Sequence, residues 1–168
     1  MENITTSYLS RAELWLCITT LVYFMMNGAQ IFETLLFVPK WTVSPPDNFK
    51  LLLDGQGSSL KIFWIVFHSL HEITFLLALY FCWKIDPIRN WLLVLLAIHI
   101  AVRIWTLSYF APAIIDFQKM AIASNGTKDL LSRVKLWQTL NYIRVFIFVA
   151  VSLGMIPLLF DCLICGIK

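Results

Sequence analysis

The sequence predicts an all-α integral membrane protein: a four-helix bundle in the bilayer, with a short interfacial helix in its first loop. Three observations predict it. Of 168 residues, 60% are hydrophobic and 14% charged, whereas soluble domains run at about 45–50% apolar and about 25% charged. Charges thin out in four stretches, each near or above the roughly 20 residues that a bilayer core requires. Backbone amides in hydrocarbon must be paired within their own segment, so stretches of this length are helices. Mean hydropathy, at +0.78, agrees.

The length suits one multi-pass domain, 1–168. Its first span covers about Leu14–Val38 and closes at Pro39-Lys40-Trp41. The second covers about Ile62–Trp83, closing at Lys84-Ile85-Asp86-Pro87. The third covers about Trp91–Ala111 and ends at Pro112. The fourth covers about Val134–Phe160, with Pro157 late enough to kink or fray its end. In the first loop, Ser44-Pro45-Pro46-Asp47 reads as a turn, Phe49–Asp54 as an amphipathic interfacial helix and Gly55–Ser59 as a flexible return. Lys84–Asn90 is a tight hairpin. Asp116–Arg133 is polar, with Ser124-Asn125-Gly126-Thr127 as its turn.

Trp15, Trp41, Trp64, Trp83, Trp91 and Trp105 fall mostly near predicted ends, as interfacial anchors do. The excess of Lys and Arg in the two longer loops leans toward a cytoplasmic location for them. A cleavable signal peptide is not expected, because Asn27, Gln30 and Glu33 interrupt the first apolar run. Asn3-Ile4-Thr5 and Asn125-Gly126-Thr127 match the glycosylation sequon. Cys17, Cys82 and Cys162 lie in or beside apolar runs, and no disulfide is required. Cys162-Leu163-Ile164-Cys165 has redox spacing but reads as an interfacial pair or lipidation site. The net charge of +3 is spread along the chain without a basic stripe, which excludes nucleic acid as a partner.

Polar residues inside the spans are the functional signal. At about 100° per residue, Asn27, Gln30, Glu33 and Thr34 occupy one helix face. His68, His71 and Glu72 share a face in span two, His99 and Arg103 in span three, and Trp137, Asn141 and Arg144 in span four. Gly28, beside Asn27, is a candidate for close helix approach. A charge near the midplane costs at least about 2.5–3.5 kcal/mol, so these faces are expected to turn inward and meet. Two acids and two arginines could serve only to fix helix register, but the histidines and amides exceed what charge balance needs.

Two chemistries suit this set. His68, His71, His99 and Glu33 offer imidazole and carboxylate ligands, with iron or copper the cofactors they suit best and zinc a further option. The Glu-x-x-His pairs of di-iron bundles are absent. Alternatively, without metal, Arg103 and Arg144 would hold a phenolate, enolate or carboxylate while His71 or Glu72 moves a proton.

Several segments resemble one family. Asn27-Gly28-Ala29-Gln30-Ile31-Phe32-Glu33 with Phe37-Val38-Pro39-Lys40-Trp41 resembles the opening of the small four-span proteins grouped with fungal anthrone oxygenases. Tyr109-Phe110-Ala111-Pro112-Ala113-Ile114-Ile115 is similar to that family's run into a Pro-containing loop. Trp137-Gln138-Thr139-Leu140-Asn141-Tyr142-Ile143-Arg144 resembles its W-x-x-x-N-x-x-R signature. The resemblance implies oxidation of electron-rich polycyclic phenols, anthrone to anthraquinone, with Trp137, Asn141 and Arg144 as signature residues.

The expectation is therefore a membrane-embedded oxidoreductase acting on a lipophilic aromatic or quinone-like molecule that enters from the lipid. Catalysis falls to His71, Glu72, Arg103 and Arg144, and substrate binding to Asn27, Gln30, Trp137 and Asn141. Membrane lipid is the surrounding partner, and a homo-oligomer is compatible with the sequence. The alternatives are a non-catalytic lipid or quinone binder and a structural subunit of a membrane complex.

Overall fold

Long apolar runs in hydrocarbon have one economical backbone solution, and the computed structural model adopts it: no strand occurs among the described residues. The structure describes the backbone of residues 6–53, 55–123 and 129–167, and side chains within 7–53, 60–123 and 129–162. Both sequons, the expected turn at Ser124–Thr127 and the Cys165 side chain lie outside them.

In chain order, α1 (Thr6–Phe32) passes through a π-turn (Glu33–Phe37) into α2 (Val38–Thr42). A 3-10 helix (Asp47–Leu52) precedes α3 (Gly55–Phe81) and α4 (Asp86–Trp105). A second π-turn (Thr106–Phe110) leads into α5 (Ala111–Ala123), and α6 covers Leu130–Ile167. Among the described residues four helices are long and apolar enough to cross a membrane: Ser7–Thr42, Leu60–Phe81, Asp86–Ala123 and Leu130–Cys162.

Spans one and three run through the prolines expected to end them. The reason is the same in both. A helical proline lacks an N–H and its ring clashes with the carbonyl four residues earlier. Here a widened turn comes first: the Val38 N–H donates to the Glu33 carbonyl and the Ala111 N–H to the Thr106 carbonyl, each across five residues. Pro39 and Pro112 then occupy the first turn of α2 and α5, where a missing donor costs nothing. Gly55–Ser59, expected as a flexible return, belongs to α3. In the first loop the interfacial helix is 3-10, and its three-residue repeat aligns Phe49 and Leu52 on one buried edge.

The chain forms two compact units. Unit 1 comprises 1–27, 67–100 and 148–168; unit 2 comprises 28–66 and 101–147. The core of unit 1 includes Leu16, Tyr23, Met26, Phe75, Leu92, Phe148 and Met155. There the close-approach glycine is Gly154: a Cβ at that position would come within 3.1 Å of Leu95. The Trp91 indole N–H donates to the Gly154 carbonyl at 2.9 Å, one residue from the Leu153 carbonyl that Pro157 cannot pair. Cys82 is fully buried, and that burial, with Cys162 nearby, pushes its thiol up to about 12. Cys17 and Cys82 are free thiols.

Unit 2 is built around Trp41, Phe49, Phe110, Phe117 and Trp137. Trp41, expected as an interfacial anchor, is 1% exposed and meets the Trp137 ring edge-on at 5.0 Å. α5 docks on the 3-10 helix through Gln118, whose amide donates to the Leu52 carbonyl at 2.9 Å. Gly28 does not serve close approach, because a Cβ there would meet nothing within 4 Å. Gly28→Ala is therefore expected to raise stability by about 0.5–1 kcal/mol, through helix propensity alone. A rise in Tm in detergent checks this, and a fall would mean the added methyl is not in open space.

Candidate functional site

A polar side chain in hydrocarbon needs a partner, and each unit supplies one cluster where partners are found. In unit 1 the cluster is aromatic and histidine-rich. Tyr23, His71 and His99 are all buried, with His71 at 0% exposure. The Tyr23 hydroxyl and His99 Nδ1 share a hydrogen bond of 3.1 Å. The His71 ring lies edge-on to Tyr23 at 4.2 Å and tilted against His99 at 4.7 Å. Phe75 packs against both imidazoles, and Phe148 against that of His99. One turn beyond Tyr23, the Asn27 amide donates to the Ser152 hydroxyl (2.8 Å) and the Phe148 carbonyl (3.1 Å). His68 is buried and Glu72 half-buried in the same unit.

In unit 2 the cluster is charged. The π-turn places Glu33 at its first position, where the Trp64 indole N–H donates to the carboxylate and the Arg144 guanidinium acts on it electrostatically. Arg144 is held in turn: Nη2 donates to Asn141 Oδ1 at 2.6 Å, and the guanidinium sits over the Phe110 ring at 4.3 Å. Asn141 passes the chain on, its amide donating to the Thr34 hydroxyl at 3.1 Å. Arg103 adds a like charge in the field of Arg144. Gln30 Oε1, Trp137 Nε1 and Arg144 Nε are buried without a hydrogen-bond partner among the described residues. Such orphaned groups carry a desolvation cost of about 1–3 kcal/mol each, which a polar ligand would relieve.

Glu33 also forms part of a cleft. About 300 Å³ in volume, it is lined by Ala29, Phe32, Glu33, Phe37, Leu60, Phe63 and Trp64. Among the described residues the carboxylate is its one ionisable wall, and the rest of the lining is aromatic or aliphatic. This suits a flat apolar molecule with an acidic or oxygen-bearing edge.

The expected residues thus fall into two groups. His68, His71, Glu72, His99 and Asn27 belong to unit 1; Gln30, Glu33, Arg103, Trp137, Asn141 and Arg144 belong to unit 2. The four-ligand metal set is not assembled as such. Among the described residues no group of three or more His, Cys, Asp or Glu side chains is arranged to hold a metal ion. His71 and His99 do meet, but as a pair within an aromatic box.

No family model, characterised protein or solved structure matches the chain.

Sequence reasoning missed Tyr23, Trp64 and Phe110. Tyr23 stood within reach of the helical period, since positions 23, 27, 30 and 34 form one face, but a tyrosine in an apolar run reads as filling. Trp64 read as an interfacial anchor, and Phe110 carried no signal until Arg144 was found over it.

Proposed function

We propose that this protein is a membrane-embedded oxidoreductase of the oxygenase type, and that the Glu33 cleft receives a lipophilic aromatic substrate. The observation that carries the reading is a carboxylate, braced by Trp64 and Arg144, in the wall of a cleft whose other described lining residues are all apolar. The resemblance of Trp137, Asn141 and Arg144 to the anthrone oxygenase signature supports it further.

An anthrone-type molecule has an acidic CH₂ opposite its carbonyl. Glu33 would take one of those protons, and Arg144 would offset the negative charge of the resulting enolate. The electron-rich anion then reacts with dioxygen. Over the whole reaction the CH₂ becomes a second C=O, one dioxygen is consumed and one water is released, so atoms and electrons balance. Asn141 and Phe110 are positioning residues, acting through Arg144. The aromatic walls Phe32, Phe63 and Trp64 would stack on the rings and keep water from the anion.

The second reading is a carrier for a lipid or quinone. It is favoured by the Thr34–Asn141–Arg144 chain, whose polar groups largely satisfy one another and leave the cleft one reactive group among the described residues. Purified protein supplied with an anthrone and ¹⁸O₂ separates the two. Quinone formation above the spontaneous rate, with label in the new carbonyl, supports catalysis. Saturable binding with no acceleration assigns the carrier role instead.

A further inference from the structure

Away from both clusters, unit 1 has a larger groove at one end of its first two spans. It has a volume of about 680 Å³ and is lined by Ser7, Tyr8, Arg11, Tyr80, Phe81, Trp83 and Lys84. Residues 7–11 open the first span and Tyr80–Phe81 end the second, so the groove lies at a membrane boundary. Its walls are tied together: the Lys84 backbone N–H donates to the Tyr8 hydroxyl at 3.0 Å, and the Trp15 and Phe81 rings stack in parallel at 6.1 Å. Two basic side chains, Arg11 and Lys84, enter the lining, and no carboxylate does among the described residues. Asp86, two residues from Lys84, is engaged by Arg89 at 2.8 Å. The same Arg89 donates to the Trp83 carbonyl and lies over the Trp83 ring, bracing that wall.

We infer that this groove binds the headgroup of an anionic phospholipid, its phosphate between Arg11 and Lys84. Guanidinium and ammonium groups at a span end are matched to phosphate oxygens. A lipid, rather than a free anion, is indicated by the apolar remainder of the site. Tyr80 and Trp83 are 71% and 52% exposed beside Phe81, a surface that an acyl chain and glycerol backbone cover and inorganic phosphate cannot. Tyrosine and tryptophan at headgroup depth, with polar tips outward, are the usual aromatic partners of such a lipid.

The test uses the full chain in nanodiscs of phosphatidylcholine with a minority of phosphatidylglycerol, with retained lipids counted by native mass spectrometry. Wild type is expected to retain phosphatidylglycerol preferentially. Arg11→Gln combined with Lys84→Gln should weaken that preference by about thirtyfold, and each single change by about fivefold. Both side chains are exposed, and an unchanged Tm in phosphatidylcholine verifies that the variant is folded. Equal retention by wild type and the double variant would overturn the inference. So would wild type showing no preference between the two lipids. Displacement of phosphatidylglycerol by millimolar inorganic phosphate would reassign the groove to free anions.

Discussion

Glu33→Gln is expected to lower oxygen-dependent turnover of an anthrone by about a hundred- to ten-thousandfold, the usual contribution of a positioned general base. The substitution is nearly isosteric, and the Gln carbonyl still accepts the Trp64 indole N–H that Glu33 accepts now. Substrate affinity should change little, because the aromatic walls of the cleft are untouched. An oxygen electrode reads kcat, and quenching of tryptophan fluorescence by the anthrone reads binding. Unchanged turnover in a folded variant would remove Glu33 from the chemistry and leave the carrier reading in possession of the site.

The second large effect concerns stability. Asn141 is 1% exposed and joins two partners, accepting from Arg144 and donating to Thr34. Asn141→Leu removes both bonds at once and leaves the Arg144 guanidinium without its amide acceptor. A hydrogen bond to a charged group contributes about 1.5–3 kcal/mol and a neutral one about 0.5–1.5, so a loss of about 2–4 kcal/mol is expected. Asn141→Asp keeps the acceptor for Arg144 and gives up only the donor to Thr34, so it should lose less. Unfolding in mixed micelles, followed by circular dichroism, ranks the three proteins. Equal stability of wild type and the Leu variant would mean that Arg144 does not depend on this contact.

Much of the fold was legible because hydrocarbon tolerates so few backbone solutions. Four charge-poor stretches had to be helices, and four helices of the required length are present. Their ends were not legible. Pro39 and Pro112 are stops under ordinary α-helical sterics, and only the widened turns at Glu33–Phe37 and Thr106–Phe110 let the helices continue. Nothing in the residues of those turns announces a five-residue hydrogen bond. The glycine reading failed for a related reason. Gly28 and Gly154 look alike in sequence, and only the neighbour each one faces tells them apart.

The site was legible in its charges and amides. Asn141, Arg144 and Glu33 stood out because ionised or amide groups are costly in a bilayer, and those three do share a cluster. Its aromatic members stayed hidden. A phenylalanine beneath a guanidinium, a tryptophan bonded to a carboxylate and a tyrosine bonded to an imidazole all carry polar duties. Hydropathy counts them as filling or as anchors.

The two five-residue turns also act as phase shifters. Each advances the winding of its helix by one extra residue, so a periodicity counted from Asn27 no longer holds by Trp41. This slip lets Glu33 and Thr34 serve a polar edge while Val38 and Trp41, less than two turns later, serve a dry aromatic one. Trp41 stands at a predicted span end, but the helix continues through it and turns that ring inward. Along either proline-bearing rod, side-chain direction has to be counted afresh after the slip, and substitutions chosen by uniform 3.6-residue spacing across it will land on the wrong side.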